Sequence, residues 1–113
     1  MHELGLMDAM LRMVKRICAE EKLEHVEKIT LEVGELSGIE IPYLYDGFNA
    51  VIHGTDFEST ELEVVTVPGV LHCNDCDIDF PLKNQELFCP ECFGKNLTPV
   101  AGRDMTLKEI AGN

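Results

Sequence analysis

Four of the five cysteines fall in two pairs, Cys73-Asn74-Asp75-Cys76 and Cys89-Pro90-Glu91-Cys92, separated by the twelve residues Asp77 to Phe88. Each pair can form a tight turn that presents two sulfurs on one side. Two such turns close a tetrahedral shell around a single ion, so the spacing predicts a structural zinc site at Cys73, Cys76, Cys89 and Cys92. The apolar material of this stretch is Ile78, Phe80, Leu82, Leu87, Phe88 and Phe93, too little to fold alone, which predicts a module disordered without metal. A closed four-thiolate shell leaves no open coordination position, so this ion holds structure and does no chemistry. A redox dithiol is disfavoured, because neither pair has the basic or helix-N-terminal setting that lowers a thiol pKa. Asp75, Asp77, Asp79 and Glu91 crowd the pairs with negative charge. They predict thiols that keep their protons more readily when metal is absent, and an apo module sensitive to mild acid.

Composition matters here because zinc modules so often bind nucleic acid. The chain carries a formal net charge of −12 over 113 residues, and phosphate binding needs clustered Lys and Arg. The one tight basic cluster, Arg12, Lys15 and Arg16, reads as the solvated face of a helix. Nucleic acid is excluded as a partner; cations or a basic protein suit the acidic surface better. No apolar run approaches the roughly 20 residues that span a bilayer. The N-terminus shows no basic region followed by an apolar one, so the expectation is an unexported, cytoplasmic chain whose thiols stay reduced.

Hydrophobic periodicity supplies the frame. Met7, Met10, Leu11, Val14, Ile17 and Cys18 recur at spacings of three and four from Glu3 to about Lys22, one stripe of an amphipathic helix. Lys28 to Val33 alternates, with Ile29, Leu31 and Val33 on one face, which predicts a half-buried strand ending near Gly34. Ser37-Gly38 and Pro42 enclose a loop. Leu44, Phe48 and Val51-Ile52 then mark a shorter helix capped by Gly54. Glu61 to Val67 reads as a strand stopped by Pro68-Gly69, and Met105 to Ile110 as a last one. The expected fold is α+β: a small mixed or antiparallel sheet of about three strands with two helices, plus an inserted zinc-ribbon-like four-cysteine module. The domain reading is a core of residues 1–69 and 98–113, interrupted by a zinc module at 70–97. The strands flanking the insert are expected to pair antiparallel, with two short connections able to act as a hinge.

A second chemical feature lies at Met1-His2-Glu3. The terminal amine, the His2 amide and the His2 imidazole Nδ1 can close a five-membered and a six-membered chelate ring. That planar, nitrogen-rich arrangement suits nickel(II) or copper(II), with the Glu3 amide or carboxylate as a fourth donor. Taken alone, an exposed terminal histidine is a commonplace.

The combination is specific. Met1-His2-Glu3-Leu4 opening a helix, Val33-Gly34-Glu35-Leu36-Ser37-Gly38 after a strand, the two cysteine pairs, and the closing Met105-Thr106-Leu107-Lys108-Glu109-Ile110 together resemble the HypA family over essentially the whole chain. These are nickel-insertion accessory proteins of nickel–iron hydrogenase maturation, in some cases serving urease as well. The resemblance implies nickel carried as cargo at His2, with Glu3 and the Met1 amine beside it, and structural zinc at the four cysteines. It also implies a partner nickel-insertion GTPase, the hydrogenase large subunit as recipient, and urease accessory proteins as a further partner class. The family commonly has glycine after the second cysteine of each pair, where this chain has Asp77 and Phe93. Phe93-Gly94 is expected to shift the second turn by one residue.

The remaining candidates read as structure. Cys18 lies on the helix stripe and is expected to be a core thiol, as are Met7 and Met10 among the methionines that tempt a copper reading. His25 is expected to be exposed, and His53 to sit at a helix C-terminus, where the dipole favours a cation. His72 precedes a zinc ligand and could support the site or replace a lost thiolate. Glu35 or Glu40 could tune the nickel site if their loop approaches the N-terminus. No nucleophile stands beside a base and no glycine-rich phosphate loop occurs, so the chain is read as a metallochaperone and not an enzyme. The alternative is a zinc-ribbon adaptor that mediates protein contacts without carrying nickel.

Overall fold

The structure, a computed structural model, describes residues 3–83 and 86–113. Helix α1 spans Glu3–Glu21, strand β1 Val26–Gly34, helix α2 Ile41–Ile52 and strand β2 Glu61–Val67. Short strands β3 (Val70–Cys73), β4 (Ile78–Pro81) and β5 (Leu97–Ala101) follow, and β6 (Met105–Gly112) closes the chain. The α+β reading is met: the described residues form two helices and two three-stranded sheets, ordered β2-β1-β6 and β4-β3-β5.

The strands predicted to flank the insert do not pair with each other. β1 takes the middle of its sheet, with β2 and β6 on either side. The reason is its apolarity: Val26, Ile29, Leu31 and Val33 are all buried, and a strand so apolar is best covered at the centre. The start of β1 lies beside the end of β6, where the His25 and Asn113 backbones exchange two hydrogen bonds of 3.0 Å. At the other end Gly34 N–H donates to the Asp104 carbonyl at 2.9 Å, so β6 runs antiparallel to β1. β2 instead starts where β1 starts and ends where β1 ends. Thr60 Oγ1 donates to the Val26 carbonyl at 2.7 Å, and Glu35 N–H to the Val67 carbonyl at 3.0 Å. Parallel neighbours need a crossover, and α2 provides it.

The chain divides into two compact units. One holds residues up to Leu31, Ile39–Val65 and Thr106–Asn113. In it α1 packs on α2, and the predicted stripe of Met7, Met10, Leu11 and Val14 is buried, as are Leu44, Phe48 and Ile52 of α2. Each such side chain contributes on the order of 1.5–3 kcal/mol. Met13 is 41% exposed, so two of the three helix methionines serve the core. Pro42 lies in the first turn of α2, where its missing N–H costs no hydrogen bond. Gly54 takes φ +75° just past the helix end, as its capping role requires. The Arg12 cluster is a solvated face, with Arg12 paired to Asp8 at 3.0 Å one turn away.

The second unit holds Glu32–Gly38 and Thr66–Met105, and so extends beyond residues 70–97. Thr98 and Pro99 lie within β5 and are not a loose connection; as an edge strand, β5 tolerates the proline. The two connections into the cysteine sheet are gripped by the exit of β1. Leu36 N–H donates to the Gly102 carbonyl at 2.7 Å, and Gly69 N–H donates to Glu35 Oε1 at 2.7 Å. A Cβ on Gly34 would lie 2.0 Å from the Gly102 carbonyl oxygen, so the Val33-Gly34-Glu35-Leu36 motif is what allows this approach.

Candidate metal centre

The cysteine sites are built by two turns with the same backbone. In the first, β3 ends at Cys73 and Asp77 N–H donates to the Cys73 carbonyl at 2.8 Å. In the second, Phe93 N–H donates to the Cys89 carbonyl at 2.8 Å. The residue after the second sulfur is left-handed in both, with φ +56° at Asp77 and +59° at Phe93. The expected one-residue shift at Phe93-Gly94 therefore does not occur. Phe93 itself adopts the conformation that glycine would take without strain, because the 5-to-1 hydrogen bond demands it.

The turns aim backbone N–H groups at sulfur. Cys76 N–H donates to Cys73 Sγ, Glu91 N–H to Cys89 Sγ and Gly94 N–H to Cys92 Sγ, each at 3.4 Å. All four sulfurs lie within 4.8 Å of one another. A tetrahedral ion with metal–sulfur bonds of about 2.3 Å places its sulfurs roughly 3.8 Å apart. Cys73 and Cys92 are separated by 3.8 Å, and Cys76 and Cys89 by 4.0 Å. The donor set fits one such ion, and a closed shell of four sulfurs supplies a cross-link and no reactive position.

Electrostatics agrees. The neighbouring Cys92 sulfur and then burial push the Cys76 thiol up to about 12. At Cys92 the Gly94 N–H pulls the pKa down, but burial and the Cys73 and Cys89 sulfurs outweigh it and the pKa rises. Burial pushes Cys89 up, yet N–H groups of Cys92 and Glu91 hold it down to about 7. The leading cause is the Cys92 sulfur at Cys76, burial at Cys89 and the Gly94 N–H at Cys92, with no carboxylate among them, and Cys89 moves opposite to expectation. Thiolates this close repel one another, and a divalent ion takes up that charge.

The sulfurs sit on a small core of Leu71, Cys73, Phe80 and Cys89, against which Leu36, Ile78, Leu82 and Leu97 pack. Leu36 belongs to the β1 exit, so that motif supports the metal turns directly. His72 faces two carboxylates, with Nδ1 2.6 Å from Asp79 Oδ1 and Nε2 3.2 Å from Asp77 Oδ1. Its ring is engaged there and is not among the gathered metal-binding atoms. A network from Asn74 to Asn96 and Thr98, and from Asn96 to Asp75, laces the first turn to β5.

Met1 and His2 lie outside the described residues, and of Glu3 only its place at the start of α1 is described. Glu35 accepts the Gly69 N–H within the cysteine unit. Glu40 is the exposed N-cap residue of α2, with no side-chain hydrogen bond to the helix. Cys18 is half-buried, and loss of hydration raises its pKa, which suits a quiet core thiol. His53 stands at the C-cap of α2 with Nδ1 3.5 Å from Glu58. Sequence reasoning missed the Glu35–Gly69 bracket and the His72 clamp; alternating His and Asp across the β3–β4 hairpin was the available signal.

The model of a family described as hydrogenase/urease nickel incorporation, metallochaperone, matches residues 1–112. The chain belongs to the HypA family. Hydrogenase maturation factors HypA from Beijerinckia indica and Dechloromonas aromatica are 34% and 33% identical to it, over 97% of each chain. The solution structure of the Ni metallochaperone HypA from Helicobacter pylori shares the fold, with a TM-score of 0.71 at 19% identity, covering 99% of this chain and 97% of that one. HypA proteins are nickel metallochaperones of hydrogenase maturation and not enzymes, which accords with a four-sulfur site that has no open position. Among the described residues no helix is long and apolar enough to cross a membrane.

Proposed function

We propose that this HypA chain carries nickel(II) as cargo at its N-terminus while zinc occupies the four-cysteine site. The Met1 amine, the His2 amide and the His2 imidazole form the nickel chelate, with Glu3 as a further donor. The observation that carries the reading is a Met-His-Glu start in a chain of a nickel-metallochaperone family. Planar nitrogen donors suit nickel(II), whereas four thiolates in a tetrahedral shell suit zinc. Three nitrogen donors and one carboxylate form a small ligand set, so affinity is modest and the ion can be passed on. The recipients are a nickel-insertion GTPase and the hydrogenase large subunit, with urease accessory proteins as a second client, in the cytoplasm.

Nickel titration calorimetry on the zinc-loaded protein tests this, beside a version with one extra N-terminal glycine and a His2→Ala variant. The extra residue keeps every side chain but moves the amine out of the chelate. One-to-one binding in the native form, lost in both others, supports the reading. Equal binding in all three places nickel elsewhere. No binding in any leaves an adaptor that works through protein contacts alone.

A further inference from the structure

Phe93 incurs two costs at once. Its backbone is held in the left-handed region at φ +59°, which strains a residue with a Cβ, and its side chain is 72% exposed. The equivalent position of the first turn is Asp77, a residue type that tolerates this conformation through local hydrogen bonding. Metal binding does not require the aromatic ring: the sulfurs receive their N–H groups from Cys76, Glu91 and Gly94.

The ring's neighbours give it a use. Phe93 leans on Phe88, with centroids 6.1 Å apart and planes tilted by 42°. Phe88 in turn lines a cavity of about 180 Å³ with Phe80, Pro81 and Pro90, and with Lys83 and Glu86 also contributing. Leu87, beside it in the chain, is 56% exposed. An aromatic- and proline-walled recess flanked by two exposed apolar side chains is more than scattered surface leucines.

Charge says what fits there. Residues 70–97 carry Asp75, Asp77, Asp79, Glu86 and Glu91 against Lys83 and Lys95 alone. Four thiolates on a divalent ion add a further net −2, and Cys92, one of them, is exposed. At the recess itself Glu86 is balanced by Lys83, so the attraction for cations comes from the second turn beside it, where Glu91 and the Cys92 thiolate adjoin Phe93 in the chain, and an exposed ring offers a cation its π face.

We infer that the recess beside the second cysteine turn, with Leu87 and Phe93 on its rim, docks a partner-protein segment bearing an aliphatic or aromatic side chain flanked by arginine or lysine. The apolar side chain enters the recess between Phe80 and Phe88. Its basic neighbours lie against Phe93, Glu86 and Glu91. This surface includes no proposed nickel ligand, so it stands or falls separately from the nickel site.

The test uses amide NMR signals of the zinc-loaded full chain and three synthetic peptides: acetyl-Lys-Arg-Phe-Arg-Lys-amide, the same with alanine for phenylalanine, and acetyl-Glu-Glu-Phe-Glu-Glu-amide. The first is expected to bind with a dissociation constant of about 1 mM and to shift Leu87, Phe88 and Phe93, the others more weakly. Phe93→Gly removes the ring and the backbone strain together, so it keeps the zinc fold yet weakens the first peptide by about fivefold. Glu91→Gln weakens it by less. Equal shifts from all three peptides, no shift from any, or undiminished binding by Phe93→Gly would each overturn the inference. So would shifts that grow with protein concentration without peptide, which would make the face a contact between copies of this chain.

Discussion

The first cysteine turn leads from β3 into β4, and its left-handed residue is Asp77. His72 clamps it through Asp77 and Asp79, and an Asn–Thr network ties it to β5. The second turn contributes a buried Cys89 and an exposed Cys92. It holds Phe93 in the same left-handed backbone. Two turns with one hydrogen-bonding geometry thus differ in support: sheet and polar side chains hold the first, while the second is held by its own backbone bonds, the burial of Cys89 and the Phe88–Phe93 contact. The hydrogen bond from Phe93 N–H to the Cys89 carbonyl fixes the knuckle backbone so firmly that a residue ill-suited to the left-handed region is held in it.

Removing the metal is the harshest way to break this comparison. A structural four-thiolate zinc contributes on the order of 10 kcal/mol to folding, so stripping it with a chelator is expected to abolish amide protection across Thr66–Met105. The second turn is expected to lose protection first, as read by hydrogen exchange against chelator concentration.

Single ligands come next. Cys73 is buried and Cys92 exposed. Cys73→Ala is expected to abolish stoichiometric zinc and order in the cysteine unit, whereas Cys92→Ala keeps a three-sulfur site of weaker affinity. Competition with a chromophoric chelator measures both, and equal losses would show that the turns are equivalent.

Strain sharpens the contrast. Phe93→Gly and Phe93→Ala both delete the ring, but only glycine relaxes the backbone, so the glycine variant is expected to be more stable by about 1 kcal/mol in thermal unfolding of the loaded protein. On the first turn, Asp79→Asn removes one side of the His72 clamp and is expected to cost about 0.5 kcal/mol, given its exposure.

The smallest effect lies outside both turns. Lys28 pairs with Glu63 on neighbouring strands, and the pair's hydrogen bond and charge hold Glu63 below its ordinary 4.5. A depressed carboxylate stabilises above its unfolded pKa, and the contribution is lost as pH falls through the folded value. Glu63→Gln is therefore expected to remove a slight acid destabilisation below about pH 4.5, with zinc affinity unchanged.

What the sequence made legible follows from local physics. α1 and β1 announce themselves by periods of 3.6 and 2, β2 matches its predicted span of Glu61–Val67, and the paired cysteines declare a metal. β3, β4 and β5 were not legible, because runs of four or five residues are too short for an alternation to be read. Sheet order failed for a related reason. Flanking an insert suggests pairing, but long-range burial of β1 decides the centre. The left-handed Phe93 ran against residue preference, and the bracket of Gly34, Glu35 and Gly69 is a tertiary approach that no local pattern encodes.

X-ray absorption at both metal edges, on zinc-loaded protein given one equivalent of nickel(II), tests the central claim that the chain keeps two metals apart. Zinc is expected with four sulfurs near 2.3 Å and nickel with nitrogen and oxygen neighbours only. Sulfur in the nickel shell, or zinc released as nickel enters, would contradict it.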